Sequence, residues 1–174
     1  RQRQMCIRDR GSLEAIQANL AELDGVLDCV VLENFTNEYK TEFGLRIEPH
    51  SIAVCIVGGD DEAIAETIYR RKDMGCGTTG SYSVTYIAKD HFNATYTYRI
   101  TRPSAQDFKV RVTFNAESVN PYEEADVKAA LIADFSGEGS NPRIKLATKV
   151  YASRFYGVAI PKTTAPVRKI EIQL

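Results

Sequence analysis

The sequence lacks several features that would assign it to a common functional class. No apolar run approaches the roughly 18 residues that a membrane-spanning helix needs. Residues 1–10, RQRQMCIRDR, contain no apolar segment of the kind found in secretory signals. No stretch reads GxxxxGK followed by Ser or Thr, the loop that binds nucleotide phosphates. The sequence therefore favours neither a membrane protein, nor a secreted protein, nor a P-loop nucleotide-binding protein.

Cysteine and histidine are also scarce. The four cysteines, at positions 6, 29, 55 and 76, are spaced by 23, 26 and 21 residues, which matches no zinc pattern. Cys29 and Cys55 lie inside apolar runs, where cysteine is most simply a small buried hydrophobic residue. This cysteine usage favours a reduced, cytoplasmic assembly compartment over secretion.

The chain does contain a clear pattern of strands and helices, strongest between Asp24 and Gly80. Residues 27–32 form a short apolar run rich in β-branched residues, which is typical of a strand. Residues 52–57 are six consecutive apolar residues, which predicts a strand buried on both faces. A glycine pair and two aspartates follow, and negative charge is favoured at a helix start, so a helix is predicted over residues 60–74.

The remaining elements are predicted from caps and periodicity. Ser12 is a plausible cap for a first helix. Asn120 and Pro121 predict the start of a helix that ends at Gly137, because both residues suit the first helical positions. The other predictions are a loop or loose hairpin over 34–48, strands near 82–87, 93–100 and 108–114, a helix from Asn141 to Gly157, and a strand over 167–174.

These elements predict an α+β fold of two related small α/β sandwich modules, ferredoxin-like in type. A weak repeat supports the relation: LDGV at residues 23–26 and FYGV at residues 155–158 each join a predicted helix to a predicted strand. The predicted modules are residues 11–102 and residues 103–174, within the usual size of small domains. Residues 1–10 are predicted to be a non-native leader, because MCIRDR resembles read-through from a sequencing adaptor.

One glycine string resembles a dinucleotide-binding motif. Residues 75–80, GCGTTG, fit the pattern GxGxxG. A dinucleotide site needs that string after a strand and at the start of a helix, so that the helix N-terminus holds the phosphate. Here it follows a predicted helix and leads into a predicted strand. We therefore interpret it as a turn.

An enzyme is the alternative function. It would be a small cytoplasmic enzyme that uses Cys76 as nucleophile with His50 or His91 as base, because a thiol nucleophile needs a base nearby. Nothing local connects either histidine to Cys76. The acidic cluster at 60–62 lacks the alternating acids and glycine of a calcium loop. The sequence thus predicts no catalytic, cofactor-binding or metal-binding residue.

Charge is distributed unevenly along the chain. Residues 12–69 hold twelve acidic and two basic residues, whereas residues 141–174 hold seven basic and one acidic. Surfaces of opposite charge steer protein association and fix its orientation. Nine tyrosines, several of them over 82–98, favour a protein interface over a base-stacking platform, since the charge around them is mixed. We predict a partner interface exposed on the last helix, formed by Arg143, Lys145, Lys149 and Arg154.

A family resemblance rests on an ordered series of motifs. The series runs DGV, an apolar strand, EN-T, a polar loop, PHS, an apolar strand, GG, a helix and G-x-x-x-x-G. In this order and spacing the chain resembles the baseplate J-like family, wedge proteins of contractile phage tails. The matching residues are Asp24, Gly25, Val26, Glu33, Asn34, Thr36, Pro49, His50, Ser51, Gly58, Gly59, Gly75 and Gly80.

The resemblance implies a virion structural protein of a phage or prophage contractile-tail baseplate. Such a protein acts in wedge assembly through protein–protein contacts, without catalysis and without a cofactor. Its implied partners are other baseplate wedge and tail proteins in a ring or hetero-oligomer, with no nucleic acid and no membrane. Its implied location is the tail baseplate of the virion, after assembly in the bacterial host cytoplasm. Family members are usually longer at the N-terminus, so this chain resembles the C-terminal part of one.

Overall fold

The chain divides into two compact units. In a computed structural model, which describes residues 12–115, 119–139 and 141–173, unit 1 ends at Ser104 and unit 2 begins at Ala105. The predicted leader, residues 1–10, lies outside the described residues. The described part of the chain is α+β, with four α-helices and several small sheets. None of the helices in that part is long and apolar enough to cross a membrane.

Unit 1 is built on a three-stranded sheet. Its elements are α1 Leu13–Ala21, β1 Val26–Asn34, β2 Lys40–Glu42, β3 Leu45–Ile47, β4 Ser51–Gly58, α2 Asp61–Arg71, β5 Gly77–Thr79, β6 Tyr82–Ala88 and β7 Ala94–Ile100. β4 lies in the centre of the sheet: β1 pairs antiparallel with it, and β5 pairs parallel with its other edge. Helix α1 packs on β1, and α2 packs on α1 and on the hairpin of β6 and β7.

The predicted core of unit 1 is confirmed. The first six residues of β4 are buried, and Val54 and Ile56 have no exposed surface. The caps are confirmed as well: the Ser12 hydroxyl accepts a hydrogen bond from the Ala15 amide at 3.0 Å, and the Asp60 carboxylate accepts one from Ala63 at 3.0 Å. A side-chain acceptor there satisfies a backbone donor that the helix itself leaves unpaired. Both helices therefore begin where the sequence predicts.

Unit 2 contains two helices and a two-stranded antiparallel sheet. Its elements are β8 Lys109–Phe114, α3 Pro121–Ser136, α4 Ala152–Ala159, a 3₁₀ turn Ile160–Lys162 and β9 Val167–Gln173. Asn120 caps α3, with its side chain accepting from the Tyr122 amide at 3.0 Å, and Gly137 ends the helix in the left-handed conformation. Both of these predictions are confirmed. α4 packs on β9, and α3 packs on α4.

The helix predicted from Asn141 to Gly157 is wrong. Residues 141–151 form no regular element where they are described, and α4 starts only at Ala152. Ala147 has φ of +59°, which interrupts a right-handed helix. Asn141 does not cap a helix, because its side-chain amide donates to the Asp134 carboxylate at 2.5 Å. At the other end, α4 continues through Gly157 because Ala159 is fully buried and belongs to the core.

Candidate protein interface

Among the residues that carry the resemblance, Asn34 lies at the base of the β2–β3 hairpin. Its side chain is 1% exposed, and its Nδ2 donates to the carbonyls of Glu38 at 2.7 Å, Ile47 at 3.2 Å and Glu48 at 3.1 Å. Its Oδ1 accepts from the Thr36 hydroxyl at 2.7 Å and the Thr36 amide at 3.1 Å. A buried amide satisfied at both ends fixes the backbone around it. Asn34 and Thr36 therefore hold the shape of the hairpin.

The glycines of the same series form a close backbone approach, which we call the glycine junction: Gly25, Gly58 and Gly59. All three have φ between +76° and +78°, and the Gly59 amide donates to the Gly25 carbonyl at 2.9 Å. A Cβ on Gly58 would lie 2.1 Å from the Gly25 oxygen. Only glycine combines this φ with this separation. The junction connects the start of β1 to the end of β4.

The side chain of Arg102 binds the backbone of the glycine junction. Its guanidinium donates to the carbonyls of Gly58 and Gly59, the latter at 3.2 Å, and to the Asp61 carboxylate at 2.6 Å. The Tyr82 hydroxyl donates to the same carboxylate at 2.6 Å. The hydrogen bond from Tyr82 and then that from Arg102 hold the pKa of Asp61 below its usual value. Sequence reasoning missed Arg102, since it lies more than forty residues beyond the glycines it contacts.

Residues of the motif PHS and of the glycine string also form backbone hydrogen bonds, close backbone approaches and a turn. The Gly77 amide donates to the His50 carbonyl at 2.9 Å, which begins the parallel pairing of β4 with β5. A Cβ on Gly80 would lie 2.1 Å from the Ile100 oxygen, so the chain passes β7 too closely for a side chain. α2 ends at Arg71, before the predicted end at residue 74, and Gly75, with φ of +88°, lies in the turn that follows. The string thus spans a turn and β5, and it leads into β6 without opening a helix.

The structure gives the proposed Cys–His pair no geometric support. The His50 ring nitrogen Nε2 lies 2.7 Å from Asn37 Oδ1, and the Cys76 thiol donates to the Gly77 carbonyl at 3.5 Å. His91 lies beside Phe92 in the turn between β6 and β7. Burial raises the pKa of the Cys76 thiol, although Lys72 opposes the effect. A nucleophilic thiol needs the opposite shift, because the thiolate is the reactive form. The described residues contain no cluster suited to a metal ion.

The four predicted interface residues separate into two kinds. Arg143, Lys145 and Lys149 are exposed, as predicted, but they lie in the irregular segment before α4 and not on the helix. Arg154 is on α4, yet its side chain is 23% exposed and pairs with the buried Asp134 at 2.6 Å. We call the first three the basic segment. The guanidinium of Arg154 is bound within unit 2, so the prediction that this side chain is largely exposed is wrong.

Arg154 is partly buried because its guanidinium pairs with the buried carboxylate of Asp134. Asp134 has no exposed surface, and its carboxylate accepts from Arg154 Nε at 2.6 Å and from Asn141 Nδ2 at 2.5 Å. The same guanidinium donates to the carbonyls of Asp134 at 3.0 Å and Pro142 at 2.7 Å. A buried carboxylate is tolerated only when it is paired and hydrogen-bonded. No sequence signal marks this pair, because its members are twenty residues apart.

Exposed aromatic side chains occur on the β2–β3 hairpin and its approach. Phe35 is 76% exposed, and Tyr39 and Phe43 are each 58% exposed. Arg46 lies over the Tyr39 ring at 4.0 Å. Exposed aromatic residues together with Arg are the composition of protein interfaces. We call Phe35, Tyr39 and Phe43 the hairpin aromatics. The sequence signal for this surface is three aromatic residues spaced four apart in a polar stretch.

The tyrosines over 82–98 are differently placed. The rings of Tyr86 and Tyr96 contact the ring of Tyr69 in tilted arrangements, with centroids 5.2 Å and 4.7 Å from it, and the three pack against the core of unit 1. Tyr98 is 8% exposed. The rings of Tyr69, Tyr86, Tyr96 and Tyr98 are therefore used within unit 1, whereas the hairpin aromatics are exposed.

Comparisons with known proteins do not assign the chain to a family. No protein-family model matches the sequence, and a search of curated proteins returns no significant match.

Proposed function

We propose that this chain is a structural component of a phage or prophage contractile-tail baseplate, working in the wedge through protein–protein contacts and without catalysis. One observation carries the proposal. The residues of the ordered motif series serve the backbone: Asn34 holds the hairpin, and the glycine junction joins β1 to β4. These are the residues through which the chain resembles the baseplate J-like family, and that resemblance supports the proposed structural role.

The surfaces of both units support a role in assembly. Unit 1 presents the hairpin aromatics, and unit 2 presents the basic segment. Aromatic anchors supply affinity in interfaces, while charged rims steer association. On this proposal the chain contacts other wedge and tail proteins in a ring or hetero-oligomer. It is assembled in the bacterial cytoplasm and resides in the virion.

The finer architecture belongs to the same proposal. In each unit a helix precedes and packs on one strand, as α1 does on β1 and α4 on β9. Each of those strands pairs antiparallel with a strand that a second helix follows, β4 before α2 and β8 before α3. The two helices of each unit also pack together. We propose that both units are related sandwich modules of the ferredoxin-like kind, with their elements joined in different order.

Co-purification tests the function. A tagged chain is expressed in the bacterium that carries the phage or prophage, tail production is induced, and the bound proteins are identified by mass spectrometry. The tagged chain should purify with wedge proteins, and a gold label on the tag should mark the baseplate end of tails in electron micrographs. A variant with the three hairpin aromatics changed to Ser tests whether this surface makes the contacts, and it should remain folded but bind fewer tail proteins. A folded chain that reaches no tail particle would overturn the proposal.

A further inference from the structure

An open apolar groove lies in unit 2 between β8 and α3. Its volume is about 900 Å³, and its floor includes Val110, Val112 and Phe114, the inward residues of β8. Ile132 and Phe135 of α3 stand on its wall, and they are 61% and 40% exposed. α4 covers β9 and α3 packs on α4, so the helices leave β8 less covered than β9. Exposed apolar surface of this kind marks binding sites.

The sheet beside the groove has an available edge. β8 pairs with β9 from Lys109 to Phe114, and in the described residues no strand pairs with its other side. A strand edge without a neighbour presents backbone donors and acceptors that another extended chain can bind. A strand added there would direct every second side chain into the groove, since side chains alternate between the faces of a sheet.

The opposite face of this sheet is basic. Lys109 and Arg111 of β8 are exposed on it, with Lys169 of β9. The acidic residue on this face, Glu171, lies opposite Arg111 and pairs with Lys169 at 2.6 Å. The hydrogen bond from Lys169, with the charges of Lys169 and Arg111, lowers the pKa of Glu171, and the described residues of this face keep an excess of positive charge. Charges that are opposite across neighbouring strands stabilise a sheet, and like charges destabilise it. An incoming strand is therefore favoured when its outward residues are acidic.

We propose that β8 is a docking edge for an extended segment of a partner protein in which apolar and acidic residues alternate. The partner strand pairs with β8, its apolar side chains fill the groove under α3, and its carboxylates face Lys109 and Arg111. Addition of a strand to a sheet edge is an established mode of peptide recognition. Antiparallel pairing of β8 with a second copy of itself is disfavoured, because it would bring these basic residues opposite their own copies. The inference concerns unit 2 alone and holds whether or not the partner is a tail protein.

Peptide binding to the full chain tests the docking edge. A fluorescein-labelled eight-residue peptide of alternating Val and Glu is titrated, with fluorescence anisotropy as the readout. Two control peptides are used. The first has the same composition with its Val and Glu residues in separate blocks, and the second keeps the alternation but has Lys in place of Glu. The alternating acidic peptide should bind at least tenfold more tightly than either control at low salt, and hydrogen exchange should slow at the amides of β8. Equal binding of all three peptides, or protection located elsewhere, would overturn the proposal.

Two exposed isoleucines provide matched variants. Ile132→Lys places a charge in the groove wall, whereas Ile160→Lys changes a 54% exposed residue of unit 2 that does not line the groove. Ile132→Lys should weaken the acidic peptide at least tenfold, and Ile160→Lys should leave it unchanged, with circular dichroism checking both folds. Lys109→Glu should reduce binding of the acidic peptide and improve that of the Lys peptide. The partner-strand proposal is wrong if Ile132→Lys leaves binding of the acidic peptide unchanged. It is also wrong if ultracentrifugation shows that the unchanged chain is a dimer and that Ile132→Lys disrupts the dimer.

Discussion

At the scale of single residues, the carboxylate of Asp134 in unit 2 depends on Arg154. Arg154→Gln should lower the free energy of unfolding by about 3 kcal/mol, because removing one partner leaves an uncompensated buried charge. Arg143→Gln is the matched control, since Arg143 is exposed, and it should change stability by less than about 0.5 kcal/mol. Urea unfolding followed by circular dichroism measures both. Equal stability of the two variants would contradict the assigned role of Arg154.

Tyr98 in unit 1 predicts a loss of stability at high pH. Burial raises the pKa of Tyr98 to about 12, from about 10 in an unfolded chain. The unfolded state therefore releases its proton first, so the stabilisation is complete below pH of about 10 and is lost as pH rises toward about 12. Tyr98→Phe should flatten this part of the profile, because Phe cannot ionise. The measurement is the urea midpoint at several pH values, and an unchanged profile in the variant would reject Tyr98 as the cause.

Residue types predict exposure better than they predict pairing. The exposure of the basic segment followed from charge, and the burial of Cys29 and Cys55 followed from their apolar runs. The inward position of Arg154 did not follow, because its partner is supplied by a different helix. The contacts of Arg102 at the glycine junction were missed for the same reason. Tertiary pairs of this kind carry no local signal.

At the scale of elements, two glycines of similar appearance have opposite roles. Gly157 lies inside α4, and a Cβ there would meet no atom within 4 Å apart from its chain neighbours and the backbone of its own helix, so Gly157→Ala should raise stability by about 0.5–1 kcal/mol. Gly58 has φ of +77° and a Cβ there would meet the Gly25 oxygen, so Gly58→Ala should lower stability by more than about 1 kcal/mol. Thermal unfolding compares them. A stabilising Gly58→Ala would show that the junction tolerates a side chain.

Elements with a strong local signal were predicted well. β4 was identified from six consecutive apolar residues, and α1, α2 and α3 were identified from their capping residues. The helix from residue 141 was not, because Asn141 and Pro142 resemble a helix start while their polar groups bind Asp134 and Arg154. The same cap pattern can thus serve a helix or a tertiary contact. Local sequence does not distinguish the two.

At the scale of the whole molecule, the two units have cores of different size. Among the residues that the structure describes, the main hydrophobic cluster of unit 1 contains thirteen buried residues, whereas that of unit 2 contains four. Stability follows buried apolar surface, so unit 2 should open more readily. In native-state hydrogen exchange, the amides of β8 and β9 should exchange before those of β4. Slower exchange in β8 than in β4 would contradict this order of stability.

The charge distribution also makes a prediction for assembly. Changing Arg143, Lys145 and Lys149 together to Glu should leave unit 2 folded, because exposed charges contribute little to stability. If the proposed function holds, the variant should associate more slowly with the tail components, most visibly at low salt, since screening weakens steering. The control variant carries Arg143→Lys, Lys145→Arg and Lys149→Arg, which keeps the positive charge. Equal association rates for both variants at low ionic strength would show that the basic segment is only a solvated surface.

The burial of β4 on both faces has a consequence for the unfolded chain. Residues 51–58, SIAVCIVG, have no charge and no proline, and they combine high β-propensity with high hydrophobicity. Segments of this composition form cross-β aggregates once they are exposed. Pro49 before the strand and the acidic pair Asp60 and Asp61 after it are gatekeeper residues of the kind that flank unavoidable hydrophobic strands. Heating unit 1 past its transition at high protein concentration should therefore end in an irreversible precipitate, whereas dilute chains refold.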